Sequence, residues 1–220
     1  MTNVGPHLLM LTVLLACAPA ACALETLPFS IESRLVIHDW SPQSAATHAL
    51  ALSVANIGAW PEPEIIAAVR HSAQILAQCG IRITDAELLR VSAPEAHRHF
   101  DTPRSHELAR ALALPKPTLY FAASTRQTPS FDAEAIGRGN SRSRPELADT
   151  VWIARGARDL GIVIAHELAH VLMDSGAHDN TPDNLMAETT TPRNTRLTAA
   201  QCAQIRTTGE RNGLLHPGLN

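Results

Sequence analysis

His166-Glu167-Leu168-Ala169-His170 places two imidazoles four residues apart, with a carboxylate directly after the first. Within a helix, residues i and i+4 lie one turn apart on the same face, so both rings can reach one metal ion. Glu167 then stands beside that ion without having to ligate it, where a carboxylate can take a proton from an attacking water. Zinc suits such a set, and a catalytic zinc needs a third protein ligand and one open position. His178 is the preferred third ligand, because it follows Ser175-Gly176, a helix stop from which the chain can swing back over the metal. Asp174 and Asp179 are its rivals, although helix capping or solubility explains an aspartate there more simply.

These residues need a helix to carry them, and residues 159–174 supply one. Asp159 is placed as the N-cap, Leu160, Ile164, Leu168 and Leu172 form an apolar stripe, and Ser175-Gly176 ends the run. A second helix opens at Pro61-Glu62-Pro63-Glu64, follows the spacing of Ile66, Val69, Ala73 and Leu76, and stops at Gly80. Shorter helices are expected over residues 107–113, before Pro115, and over residues 198–210. Strands are expected at residues 34–38, 81–84, 118–122 and 150–154, with residues 88–91 continuing or neighbouring the second. Tyr120 reads as part of the strand core. The Ser-, Arg-, Gly- and Pro-rich stretch from Ser124 to Pro145 lacks periodicity and reads as a long exposed loop, a feature often tied to function in compact domains.

The chain has 220 residues, 45% hydrophobic and 18% charged, enough apolar material for one domain core. No repeat or linker divides it. A net charge of -3 and a pI near 6.4 exclude the broad basic surface that nucleic acids select. Residues 8–23 carry no charge and end in Ala21-Cys22-Ala23, which predicts an export signal over residues 1–23, a mature start at Leu24 and a domain over residues 24–220. The protein is then secreted or periplasmic. Leu14-Leu15-Ala16-Cys17 offers the alternative of a lipobox, with Cys17 tethering the chain to a membrane, the one route by which a membrane becomes a partner. Cys79 and Cys202 remain in the mature chain as one disulfide or two buried thiols. Residues 25–59 belong to the domain or form a short pro-segment, and nothing in the sequence fixes an oligomeric state.

His166-Glu167-Leu168-Ala169-His170, then His178, then Asn184-Leu185-Met186 resemble the metzincin clan of zinc metallopeptidases. The likeness covers roughly residues 151–186. It implies an α+β zincin-like domain in which a mixed twisted sheet packs on an active-site helix and a C-terminal helix. It also implies zinc as cofactor, a protein or peptide substrate, and Met186 in a turn at the base of the site. In the usual clan pattern a glycine and the third ligand stand where this chain has Met173 and Gly176, so the resemblance implies a connection two residues longer, with Gly176 turning and His178 ligating. Metzincins pair an extended substrate with an edge strand, a role that residues 150–154 or the loop before them would take. A gluzincin arrangement would need a later glutamate on a helix, but Glu188 is followed by Thr189-Thr190-Thr191-Pro192, poor helix material.

Other segments have blander readings. Ser105-His106-Glu107-Leu108-Ala109-Arg110 repeats half the motif but ends in Arg110, so it reads as an ordinary helix with an exposed histidine. His97 and His99 form a second metal site or, more simply, a solvated polar stretch. Arg138, Arg142 and Arg144 keep the long loop soluble or engage acidic substrate groups. The alternatives to an endopeptidase are a catalytically silent zinc-binding surface domain for protein interaction and a periplasmic metal store. The intact Glu167 and the single histidine cluster count against both.

Overall fold

The computed structural model describes residues 28–38, 46–127 and 131–218; the expected export signal, with Cys17 and Cys22, lies outside them. The elements run β1 (Ser30–His38), β2 (His48–Asn56), α1 (Glu62–Leu76), β3 (Ile81–Ser92), β4 (His99–Phe100), α2 (Thr102–Leu112), β5 (Thr118–Phe121), β6 (Ser124–Thr125), β7 (Ala133–Ile136), β8 (Thr150–Ile153), α3 (Leu160–Met173), α4 (Ala199–Arg211) and β9 (His216–Pro217). The architecture is α+β. A seven-stranded mixed sheet has the order β1-β3-β2-β5-β8-β7, with β9 against β2, and β4 and β6 form a separate pair. Strands β3, β2, β5 and β8 are parallel neighbours, whereas β1 and β7 run antiparallel at the two edges.

Buried parallel strands need apolar residues on both faces, and every residue of β5 and β8 is buried. One face of the sheet packs on α1, α3 and α4 through Val69, Leu76, Ile164, Leu168, Leu172 and Ile205. The other face packs on α2 through Phe100, Leu108 and Trp152. Tyr120 is a core residue on that face, its ring stacked on Trp152 with centroids 4.1 Å apart.

Several boundaries differ from expectation. No strand was readable over residues 48–56, because His-Ala-Leu-Ala-Leu-Ser-Val-Ala-Asn is rich in alanine, a weak strand former. It is nevertheless an inner strand, bonded to β3 and β5, so this part of residues 25–59 belongs to the sheet. Residues 81–84 and 88–91 are one continuous strand. Helix α1 buries Ile65 rather than Ile66, and continues as a 3-10 turn, Ala77–Cys79, before Gly80 closes it at φ 72°. Helix α2 starts at Thr102, with Pro103 in its first turn, earlier than residue 107.

Two features fix the helices against one another. Gly161 lets α1 approach closely, since a Cβ there would lie 2.5 Å from the Cβ of His71. Cys79 and Cys202 form a disulfide, with Cα atoms 4.9 Å apart, which joins the end of the α1 turn to α4. Of the two readings of these cysteines, the bridge is the one observed.

Candidate metal centre

Helix α3 carries His166, Glu167 and His170, and its two ends shape what surrounds them. Asp159 occupies the N-cap position but makes no side-chain cap; its backbone is left-handed, φ 53°, so the expected capping bond is absent. At the other end the turn falls at Asp174, φ 48°, not at Gly176. Aspartate tolerates this conformation better than most side chains, and the Ser175 N–H then donates to the His170 carbonyl at 3.1 Å. The chain is thereby redirected two residues before Gly176.

This turn brings His178 to the helix pair. Ring centroids lie 4.5 Å apart for His166 and His170, 5.5 Å for His166 and His178, and 5.0 Å for His170 and His178. One nitrogen from each ring lies within 4.8 Å of the other two, and among the described residues no other group of three candidate ligands is so placed. His166 and His170 are buried and His178 is exposed at the rim.

The hydrogen bonds of the two buried rings decide their tautomers. His166 Nδ1 donates to the Leu185 carbonyl and His170 Nδ1 to the Ser175 carbonyl, each at 2.7 Å. A carbonyl oxygen only accepts, so Nδ1 carries the proton and Nε2 of the neutral ring is a bare lone pair. The two Nε2 atoms are 2.9 Å apart. Two lone pairs at that separation repel, and a cation held between them turns the repulsion into coordination. Burial lowers the pKa of His166, against the Leu185 carbonyl, and burial together with the nearby His166 takes His170 down to about 4. Both rings are therefore neutral at physiological pH, the form that binds a metal. The donor set fits a zinc ion.

The rival ligands are occupied elsewhere. The Asp179 carboxylate accepts from the Thr181 N–H and hydroxyl and from the amides of Asn184 and Gln201. Asp174 accepts from the Arg138 N–H at 3.2 Å. Glu188 lies in a non-helical wall of the cleft, outside the ligand group. Met186 is buried in a turn in which Asn184 accepts from the Met186 N–H at 2.8 Å.

Glu167 is half-buried. Burial pushes its carboxyl up to about 8, the Ala135 N–H opposes the shift by donating to it, and Glu134 nearby adds to it. It faces a cleft of about 1230 Å³ floored by α3, with β7 on one side and residues 188–192 on the other.

Strand β7 lies inside the stretch expected to be an irregular loop. Residues 150–154 are not an edge: β8 is bonded to β5 on one side and β7 on the other, so among the described residues the open edge belongs to β7. The Ala154 N–H donates to the Asp132 carbonyl, which sets the ladder phase. By the alternation of antiparallel pairs, Glu134 bonds to β8, while the amide groups of Ala133 and Ala135 point away from it, the Ala135 N–H toward Glu167.

The remaining candidates are scattered. His97 pairs with Glu107, whereas His99 pairs with Glu95 and Ser124, so they share no site. His106 is not free on the surface but pairs with Glu146. Arg138 is structural, binding Asp149 at 2.8 Å and the Asn212 carbonyl at 3.0 Å. Sequence reasoning missed Glu134, Ala135 and Gln201; the one readable signal was Thr198 three residues before Gln201, which here forms a capping box. Neither the protein-family models nor the curated proteins include a match to this chain.

Proposed function

We propose that this protein is an exported zinc endopeptidase of the metzincin type, with His166, His170 and His178 as ligands and Glu167 as general base. The observation that carries the reading is the facing pair of Nε2 lone pairs at 2.9 Å, with His178 beside them and Glu167 next in the chain. His166, His170 and His178 would hold a zinc ion, which when bound would supply an acidified water and a polarised carbonyl. A cation on the neighbouring imidazoles would favour the ionised carboxylate of Glu167, which then accepts the proton of the attacking water and returns it to the leaving amine, so that one carboxylate serves both halves of the hydrolysis. An extended peptide pairs with the outward N–H and carbonyl of Ala133 and with the outward carbonyl of Ala135, whose N–H is taken by Glu167, and this aligns its backbone along the cleft. The Leu185 and Ser175 carbonyls hold the ligand rings in the required tautomer. The Cys79–Cys202 disulfide fits the oxidising compartment that an exported chain enters.

The test is cleavage of a diverse peptide mixture by the mature chain, read by mass spectrometry, with Glu167→Ala and a chelator as controls. Cuts that vanish in both controls support the reading. One zinc per chain with no cuts replaces it by a silent zinc-binding domain, and a chain that takes up no zinc overturns it.

A further inference from the structure

The cleft carries an imbalance of charge. Asp132, Glu134, Asp159 and Glu188 line it together with Glu167 and Asp174, against one guanidinium, Arg158. Among the described residues the carboxylates of Asp132, Glu134, Asp159 and Glu188 form no ion pair and accept no hydrogen bond, and Arg158 pairs with none of them. Two further arginines are committed elsewhere: Arg138 to Asp149, and Arg155 to the carbonyls of Gly58 and Ala59.

Glu134 has the most informative position. Along β7, Ala133 and Ala135 pack toward the α3 face of the sheet, whereas Ile136 is buried on the opposite face with Phe100 and Leu147. Side chains alternate along a strand, so Glu134 shares the face of Ile136. There it borders a second, small cavity of about 90 Å³ lined by Phe100, Ile136 and Leu147 and by the polar Thr102, Asn140, Ser141 and Arg144, with no ion pair between Arg144 and Glu134. A half-buried carboxylate beside Phe100, Ile136 and Leu147, at the edge of the sheet and in no ion pair, is set up to receive a cation.

We infer that the cleft selects peptides with a lysine or arginine at the position opposite Glu134, and that Glu134 is the residue that reads it. This inference rests on the peptidase reading above. A peptide paired with Ala133 and Ala135 turns alternate side chains away from α3, and directly opposed Cβ atoms on neighbouring strands lie about 5 Å apart. The methylene stem of a lysine or arginine there covers the apolar part of that lining, while its head reaches the carboxylate in a charge-assisted bond. Asp132, Asp159 and Glu188 add a longer-range field that draws cationic peptides in and weakens with salt.

The experiment compares kcat/KM for four peptides that differ at one residue only, Lys, Arg, norleucine or Glu, scanned across the positions flanking the cut. At one position the wild type is expected to favour Lys and Arg over norleucine by about 10-fold or more, with Glu the poorest. The ratio falls to within about 2-fold in Glu134→Gln and inverts toward the Glu peptide in Glu134→Lys. Because ratios are compared, a partial loss of folded enzyme cancels. A wild type without the preference at any position, or a preference that survives in both variants, overturns the inference while leaving the peptidase reading intact. A wild type that cuts none of the peptides overturns both.

Discussion

The backbone N–H of Asp179 donates to the carbonyl of Met186 at 2.8 Å, tying the residue after the third imidazole to the buried turn beyond it. The same turn presents the Leu185 carbonyl to His166, so one short segment orients two of the three rings. The Asp179 carboxylate reinforces it through Thr181, Asn184 and Gln201. His178→Ala is therefore expected to weaken zinc binding by more than about 100-fold, and Asp179→Ala by about 10-fold, since outer partners of metal ligands contribute roughly 10- to 100-fold. Asp174→Asn, which keeps a residue tolerant of the left-handed turn, should leave affinity unchanged. Competition titration against a chromogenic chelator separates these, and an Asp174 variant as weak as the His178 variant would reverse the ligand assignment.

Gly58 lies where the chain leaves β2 and crosses the end of β5. Its N–H and that of Ile57 both donate to the Phe121 carbonyl, and a Cβ on Gly58 would sit 2.5 Å from the Ala122 carbonyl carbon. That neighbour is backbone in a buried strand end and cannot rotate away, so Gly58→Ala should cost about 1 to 3 kcal/mol in urea unfolding. Gly139→Ala is the control: nothing lies within 4 Å of its would-be Cβ, and the change should stay within about 0.5 kcal/mol. Equal midpoints for the two variants would refute the packing argument.

What the sequence made legible follows the range of the interactions involved. His166, Glu167 and His170 act through i,i+4 spacing on one helix, so their arrangement is local and readable. Thr118 to Phe121 and Thr150 to Ile153 announce themselves as buried strands by composition. Strands β2 and β7 do not, because alanine and glutamate have little strand preference and are held there by pairing with distant partners. The same cause hides Glu134: its place beside the cleft exists only once β7 is on the sheet. The left-handed turn at Asp174 misled by chemistry instead, since glycine two residues on was the more natural candidate.

Lys116 is the only lysine in the chain, and its surroundings give stability a readable pH dependence. Burial brings its amine down to about 8, against the pull of the Asp149 and Glu146 carboxylates, while its Nζ donates to the Glu146 carbonyl at 2.8 Å. The folded pKa lies below the unfolded value, near 10.4. Between the two, the unfolded chain binds more protons, so stability rises with pH through that window; below about 8 the buried charge is a constant cost. Tyr120, the only tyrosine, has its hydroxyl pushed upward by burial, so the folded chain keeps it neutral across the window, and its ionisation in the unfolded chain begins to offset the gain only near pH 10. Urea unfolding at pH 7.5 and 9.5 should show the wild type gaining on Lys116→Met by roughly 1 to 2 kcal/mol over that interval. The difference between the two proteins cancels every group they share. A wild type and variant whose stabilities move in parallel would mean that the amine is solvated in the folded state and titrates at its ordinary value.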